Sequence, residues 1–222
     1  MKKQTINQIY DQYFIPPGLR NHMYLVAAVG KYICDAWIGP EINKNNIISA
    51  LLLHDLGNLI KFDLSENAVV LDKALLDKFW LRKQVEIKTK YGKNAHKATV
   101  TMVKEIGVNK KIIKLVKSMD ATNLEQSTQA SWEEQICEYA DLRVIPTGIS
   151  SLQDRLVDIQ SRYKHRSKSW ADENLFVLNQ KFGVILEKNL QQNANVDITN
   201  ISSEKISTYL VELSHYQIVI EP

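Results

Sequence analysis

The chain has 222 residues, of which 45% are hydrophobic and 24% charged, with 28 lysines and arginines against 25 acidic residues. Such a length and composition exclude a disordered tail and supply a core without disulfides or a structural metal. The net charge of +3 is too small by itself to argue for nucleic acid, and Cys34 and Cys137 show no paired spacing, which suits a reducing compartment.

The basic start MKKQTINQIYDQ leads into no apolar run, so no signal peptide is expected there. From Leu19 the apolar positions Leu19, Met23, Val26, Gly30, Ile33 and Trp37 alternate steps of four and three. This predicts a buried helix, opened by Pro16-Pro17-Gly18 and closed near Gly39-Pro40. A second helix takes its cap from Asn43, Asn45 or Asn46 and runs through IISALLLHD to Gly57. Residues 47–53 are its longest apolar run, far short of a bilayer span. Further helices are expected over 71–90, 95–106, 109–119, 131–142, 150–165, 171–190 and 203–214. No alternation is long enough to demand a sheet, although YQIVIE near the C-terminus reads as a short strand. The fold class is all-α: a helical domain over residues 1–166, then a helical extension over 167–222. The apolar stripes of the extension, Leu175, Leu178, Phe182, Ile185 and Ile206, Tyr209, Leu210, Leu213, cover the main bundle or a second copy in a homodimer.

Chemistry concentrates in LLLHDLGNLIKFD, residues 51–63. On a helix His54 shares a face with Ile47 and Leu51, and Asp55 shares the adjoining face with Ile48 and Leu52. Burying Asp55 there costs several kcal/mol unless a cation receives it, and imidazole with carboxylate suits a divalent ion. Taken alone, the pair also fits a plain helix end, with His54 on open carbonyls and Asp55 capping the next turn. Two other helices bring ligand-type residues to a core: His22, one turn before Val26, and Asp141, four residues after Cys137.

The order His22, then His54-Asp55 after an apolar helix, then Asp141 resembles the HD-domain superfamily of metal-dependent phosphohydrolases. PPGLRNHMYLVAAVGKYI resembles that family's first ligand helix, and LLLHDLGN resembles its HDxGK-type signature. EYADLRVIPTGISSLQDRLVDIQSRY resembles the region around its last aspartate, so the likeness covers residues 15–165. The resemblance implies that His22, His54, Asp55 and Asp141 hold a divalent metal ion such as Mn, Fe or Mg. It implies an enzyme that uses a metal-activated water on a phosphate ester of a nucleotide or related phosphorylated metabolite, while the cysteine usage and the lack of a signal or spanning segment lead us to expect a cytoplasmic protein.

The signature lysine is replaced by Asn58, and Lys61 is the nearest substitute. Asp63 falls where some members keep a catalytic acid or base. His96 lies in the region that supplies a second metal in other members, and here a single ion with His96 facing the phosphate is expected. Arg143, Arg155 and Arg162 are candidates for binding substrate phosphate, because guanidinium forks match phosphate oxygens. Lys110, Lys111, Lys114 and Lys117 read as a solvated helix face, with neither nucleic acid nor a membrane as partner. No glycine-rich phosphate loop or nucleophile elbow is present in the sequence. Two rival readings stay open: an HD fold that binds a ligand without turnover, and a buried ion-pair network with no metal.

Overall fold

The computed structural model describes residues 2–64, 73–119, 122–165 and 167–221. The first two residues of the helix expected over 71–90, and Arg166 at the expected domain boundary, lie outside the described residues. The protein is all-α, with its strands confined to short antiparallel pairs.

Strand β1 (Lys2–Thr5) leads directly into α1 (Ile6–Gln12), whose start is a capping box: the Thr5 hydroxyl accepts from Gln8 N and the Gln8 side chain accepts from Thr5 N. α1 buries Ile6, Ile9 and Tyr10, and the Tyr10 hydroxyl donates to the Leu52 carbonyl at 2.7 Å. α2 (Pro17–Asp35) opens on proline, where a missing N–H costs nothing. α3 (Lys44–Leu53) is capped by Asn43 and buries every residue from Asn46 to Leu53. A helix buried all round belongs at the centre, and α3 packs between α2, α6 (Lys110–Ser118) and α8 (Trp132–Asp141). It stops at Leu53, short of the expected Gly57. A turn follows over 54–57, then a 3-10 turn over Asn58–Lys61.

The helix expected over 71–90 is divided. A 3-10 turn occupies Lys73–Leu76, and Asp77 then accepts from Phe79 N to start α4 (Lys78–Tyr91). Gly92, at φ 84°, separates α4 from α5 (Ala95–Ile106), and left-handed Gly107 turns α5 into α6. After α7 (Leu124–Ser127) and α8 comes the tight hairpin of β2 (Val144–Ile145) and β3 (Gly148–Ile149). α9 (Leu152–Tyr163), α10 (Lys168–Ala171), α11 (Glu173–Gln191) and α12 (Ser203–Ser214) complete the bundle. α11 packs on α7, α8 and α9, while α12 lies along α2. Residues from both halves of the chain share one hydrophobic core. The expected terminal strand is β4 (Gln217–Ile220), which pairs with β1 in the register Lys2↔Ile220 to Thr5↔Gln217. Among the described residues no helix is long and apolar enough to cross a membrane.

Gly57 positions the turn that carries the functional residues. A Cβ there would lie 2.4 Å from the Ala95 carbonyl oxygen and 2.8 Å from Thr99 N, both backbone atoms of α5. Gly57 N also donates to Thr99 Oγ1 at 2.9 Å. Gly57→Ala should therefore push α5 off the turn and destabilise the fold by about 1–3 kcal/mol. Thermal melting checks this, and an unchanged midpoint would refute the close approach.

Candidate metal centre

Three helices deliver the site. His22 comes from the second turn of α2, His54 caps the C-terminus of α3, Asp55 follows it, and Asp141 is the last residue of α8. Two helix C-termini thus converge, and their negative ends favour a cation. Asp141 Oδ1 lies 3.2 Å from His22 Nε2 and 3.6 Å from His54 Nε2. Asp55 Oδ2 lies 3.6 Å from His22 Nε2 and 3.7 Å from His54 Nε2. Ligand atoms of His22, His54 and Asp141 all fall within 4.8 Å of one another.

These donors are close without being hydrogen-bonded. His54 Nε2 and Asp141 Oδ1 are buried and have no hydrogen-bond partner. His54, only 5% exposed, donates from Nδ1 to the Leu51 carbonyl at 2.7 Å, which leaves Nε2 as the lone-pair nitrogen of the neutral ring. Four donors about 2.1 Å from a shared centre would stand roughly 3.0–3.4 Å apart along the edges of an octahedron or tetrahedron. The observed separations are close to that scale, and two imidazoles with two carboxylates balance a dication. The residues present fit a divalent ion.

The electrostatics agree. Burial opposes a charge on His54, but Asp55 and then Asp141 outweigh it and lift the imidazole from 6.5 to about 9. Burial likewise opposes the Asp55 charge, and His54, Lys61 and His22 overcome it to hold the carboxyl below its ordinary range. At Asp141 burial yields to His22 and His54, with Arg155 adding to them, and its carboxyl lies well below that range. In the metal-free state the carboxylates demand a cation, and a proton on His54 provides one.

The other residues singled out from the sequence separate into two groups. Arg155, 8% exposed, adjoins the centre: one Nη lies 3.6 Å from Asp141 Oδ1, the other donates to Asp158 at 3.0 Å, and buried Nε has no partner. Lys61 is exposed, with Nζ 5.7 Å from the centroid of the Tyr163 ring, and its charge is felt by Asp55. His96 is half-buried and donates from Nε2 to the Lys117 carbonyl at 3.2 Å. It is not part of the ligand group found among the described residues. Asp63 is exposed on the segment after the 3-10 turn.

Arg143 and Arg162 are placed differently from expectation. Arg143 is 2% exposed and donates to the carbonyls of Ser150, Ile198 and Thr199 and to the Tyr139 hydroxyl. It pins the α11–α12 connection to α8, and all three of its nitrogens are engaged. Arg162 forks onto Asp158, four residues earlier on α9. Arg143→Met should leave several buried carbonyls unsatisfied, at a cost of about 3 kcal/mol or more, with metal content unchanged. Melting together with elemental analysis checks this; loss of metal without loss of stability would return Arg143 to the site.

Three supporting residues were not found from the sequence. Tyr10 occupies the Leu52 carbonyl behind the site, and Thr99 holds Gly57. Asp158 pairs with both Arg155 and Arg162. Only Asp158 left a sequence signal, at spacings of three and four from the two arginines.

The arrangement defines a class of site: two histidines and two aspartates brought together by α2, α8 and the turn that ends α3, with a buried arginine beside them. No protein-family model, curated protein or solved structure matches the chain.

Proposed function

We propose that the chain is an HD-type metal-dependent phosphohydrolase acting on a phosphate ester of a nucleotide or related phosphorylated metabolite. One observation carries this reading: two buried donor atoms, His54 Nε2 and Asp141 Oδ1, have no hydrogen-bond partner at a point that His22 and Asp55 also face. Leaving such atoms unsatisfied is costly, and a bound ion removes the cost. A divalent ion held by His22, His54, Asp55 and Asp141 would supply a water of lowered pKa and positive charge for the phosphate oxygens.

The chain's own residues do the rest. The Leu51 carbonyl fixes the tautomer and aim of His54. Arg155 stands between Asp141 and Asp158 and places a fixed positive charge beside the centre. Lys61 adds positive charge on the Asp55 side. The second reading, a fold that binds its ligand without turnover, is favoured by Asn58. This residue is buried and neutral where the family signature carries a lysine.

The test is elemental analysis of untagged protein purified without chelator, followed by phosphate release from a panel of nucleotides and other phosphate esters. About one metal atom per chain, with release that EDTA abolishes, is expected. Bound metal with no release across the panel would favour the binding module. No bound metal, and no change in melting on adding Mn or Mg, would overturn the metal centre.

A further inference from the structure

The chain-wide charge of +3 conceals two very different parts. Residues 78–119, which form α4, α5 and α6, hold twelve lysines and arginines against two glutamates, a net charge of +10. The remaining residues hold sixteen against twenty-three, a net charge of −7. Ion pairing does not cancel the excess. Lys83, Lys90 and Lys114 meet glutamates, whereas exposed Lys93, Lys97, Lys104, Lys110, Lys111 and Lys117 have no side-chain partner among the described residues.

The fold sets five of these six cations on one pair of helices, with Lys93 just ahead of α5. α5 and α6 pack together in opposite directions, since His96 in the first turn of α5 donates to the Lys117 carbonyl in the last turn of α6. On α5, Lys97 and Lys104 are seven residues apart and share a face; on α6, Lys110 and Lys117 do the same. One end of the pair abuts the metal centre, because Gly57, two residues after Asp55, packs on Ala95 and Thr99 of α5. The other end is the turn at Gly107. A helix of twelve residues is about 18 Å long, which matches about five nucleotides at 3.4 Å each along a strand.

Chemistry decides which polyanion this suits. A membrane-surface helix needs an apolar face to insert among lipids. α5 and α6 bury theirs, Met102, Val103, Ile106, Ile112, Leu115 and Val116, and expose no large hydrophobic side chain. A rigid, polar, cationic face with nothing to insert fits a chain of phosphates in water. We propose that the solvent faces of α5 and α6 form a track for a nucleic-acid strand whose end reaches the metal centre. Binding on this track does not depend on the hydrolytic reading, and the strand as substrate rests on it.

The test is fluorescence anisotropy of a short fluorescein-labelled single-stranded oligonucleotide with the full chain in EDTA, over a salt series. EDTA prevents turnover, so failure of the hydrolytic reading leaves this measurement intact. Binding should weaken linearly on a log–log plot with a slope of about −4, the value for five or six neutralised phosphates on a single strand. The triple variant Lys97→Ala, Lys104→Ala, Lys111→Ala should lose at least tenfold in affinity at low salt and flatten the slope by about 2. A control triple on α10 and α11, Lys168→Ala, Lys181→Ala, Lys188→Ala, should bind as the parent does, with circular dichroism melts showing that both variants fold. No binding at low salt, or equal loss in the two triples, would overturn the track. So would capture by anionic phosphatidylserine vesicles without oligonucleotide binding.

Discussion

His54→Ala is expected to abolish metal retention and, with it, the rise in melting temperature that a divalent ion gives the intact chain. An ion present at a thousand times its dissociation constant stabilises by about 4 kcal/mol. For a chain of this size each kcal/mol moves the midpoint by about 2–4 °C, so the parent should gain roughly 8–16 °C and the variant nothing. The reason is positional. His54 Nε2 is buried, and its ring is aimed by the Leu51 carbonyl, so no neighbouring side chain can swing in to replace it. Asp55→Ala and Asp141→Asn should behave alike, whereas Asn58→Lys, outside the donor set, should keep the metal. Differential scanning calorimetry with and without Mn measures this. A variant at position 54 that kept the full metal-induced gain would place the ion elsewhere and remove the basis of the functional proposal.

The second large effect is a pH dependence that differs between metal-free and metal-bound protein. In the folded chain the His54 value rises from 6.5 to about 9. Its contribution to stability is therefore complete below pH 6.5 and disappears as pH rises through about 9, a loss on the order of 3 kcal/mol. Asp55 and Asp141 act in the opposite sense: lowered in the fold, they stabilise above the ordinary carboxylate value of 3.8 and lose that effect as pH falls through their own lower values. Metal-free protein should thus hold a plateau at mildly acidic to neutral pH and weaken on the alkaline side. A metal ion must displace the His54 proton, so the gain it gives should grow from pH 6.5 to about 9, by up to tenfold in apparent affinity per pH unit. Melting curves across that window, with and without metal, decide the matter. A metal gain that stays flat with pH would mean that no proton leaves His54 on binding.

Much of the fold was legible because its helices announce themselves locally. The helix expected over 95–106 matches α5, since Asn94 caps one end and Gly107 closes the other. α8, α9, α11 and α12 also fall within two residues of expectation at each end, and the first three are capped by Ser131, Ser151 and Asp172. α1 was missed although its Thr5 and Gln8 capping box is written in the sequence, because seven residues give too short a stripe to read. β1 was not foreseen because its partner lies at the far end of the chain. The split of the helix expected over 71–90 turned on Asp77, whose side chain serves the next helix rather than the interior of one long helix.

At the candidate site, the approach of His22, His54 and Asp141 to one another, with Asp55 beside them, was legible because carboxylates and imidazoles are conspicuous among apolar residues. The arginines were not separable in the same way. Arg143 and Arg155 both sit beside apolar stripes, and what distinguishes them is tertiary: carbonyls from residues 198 and 199 engage Arg143, while Arg155 Nε stays unpartnered. The lysines of α6, read singly as a solvated face, acquire meaning only beside those of α5.

The pairing of β1 with β4 also sets how the molecule responds to mechanical load. Lys2 faces Ile220 at the open end of the ribbon, and Thr5 faces Gln217 at its inner end. Force applied across residues 2 and 220 therefore enters the ribbon as peeling, not as shear. Its hydrogen bonds would rupture one after another from the outside inward, each carrying the load alone. The first rip in a pulling trace should be small and occur at low force, releasing the ribbon while the α2, α3 and α8 core around the candidate metal centre still holds.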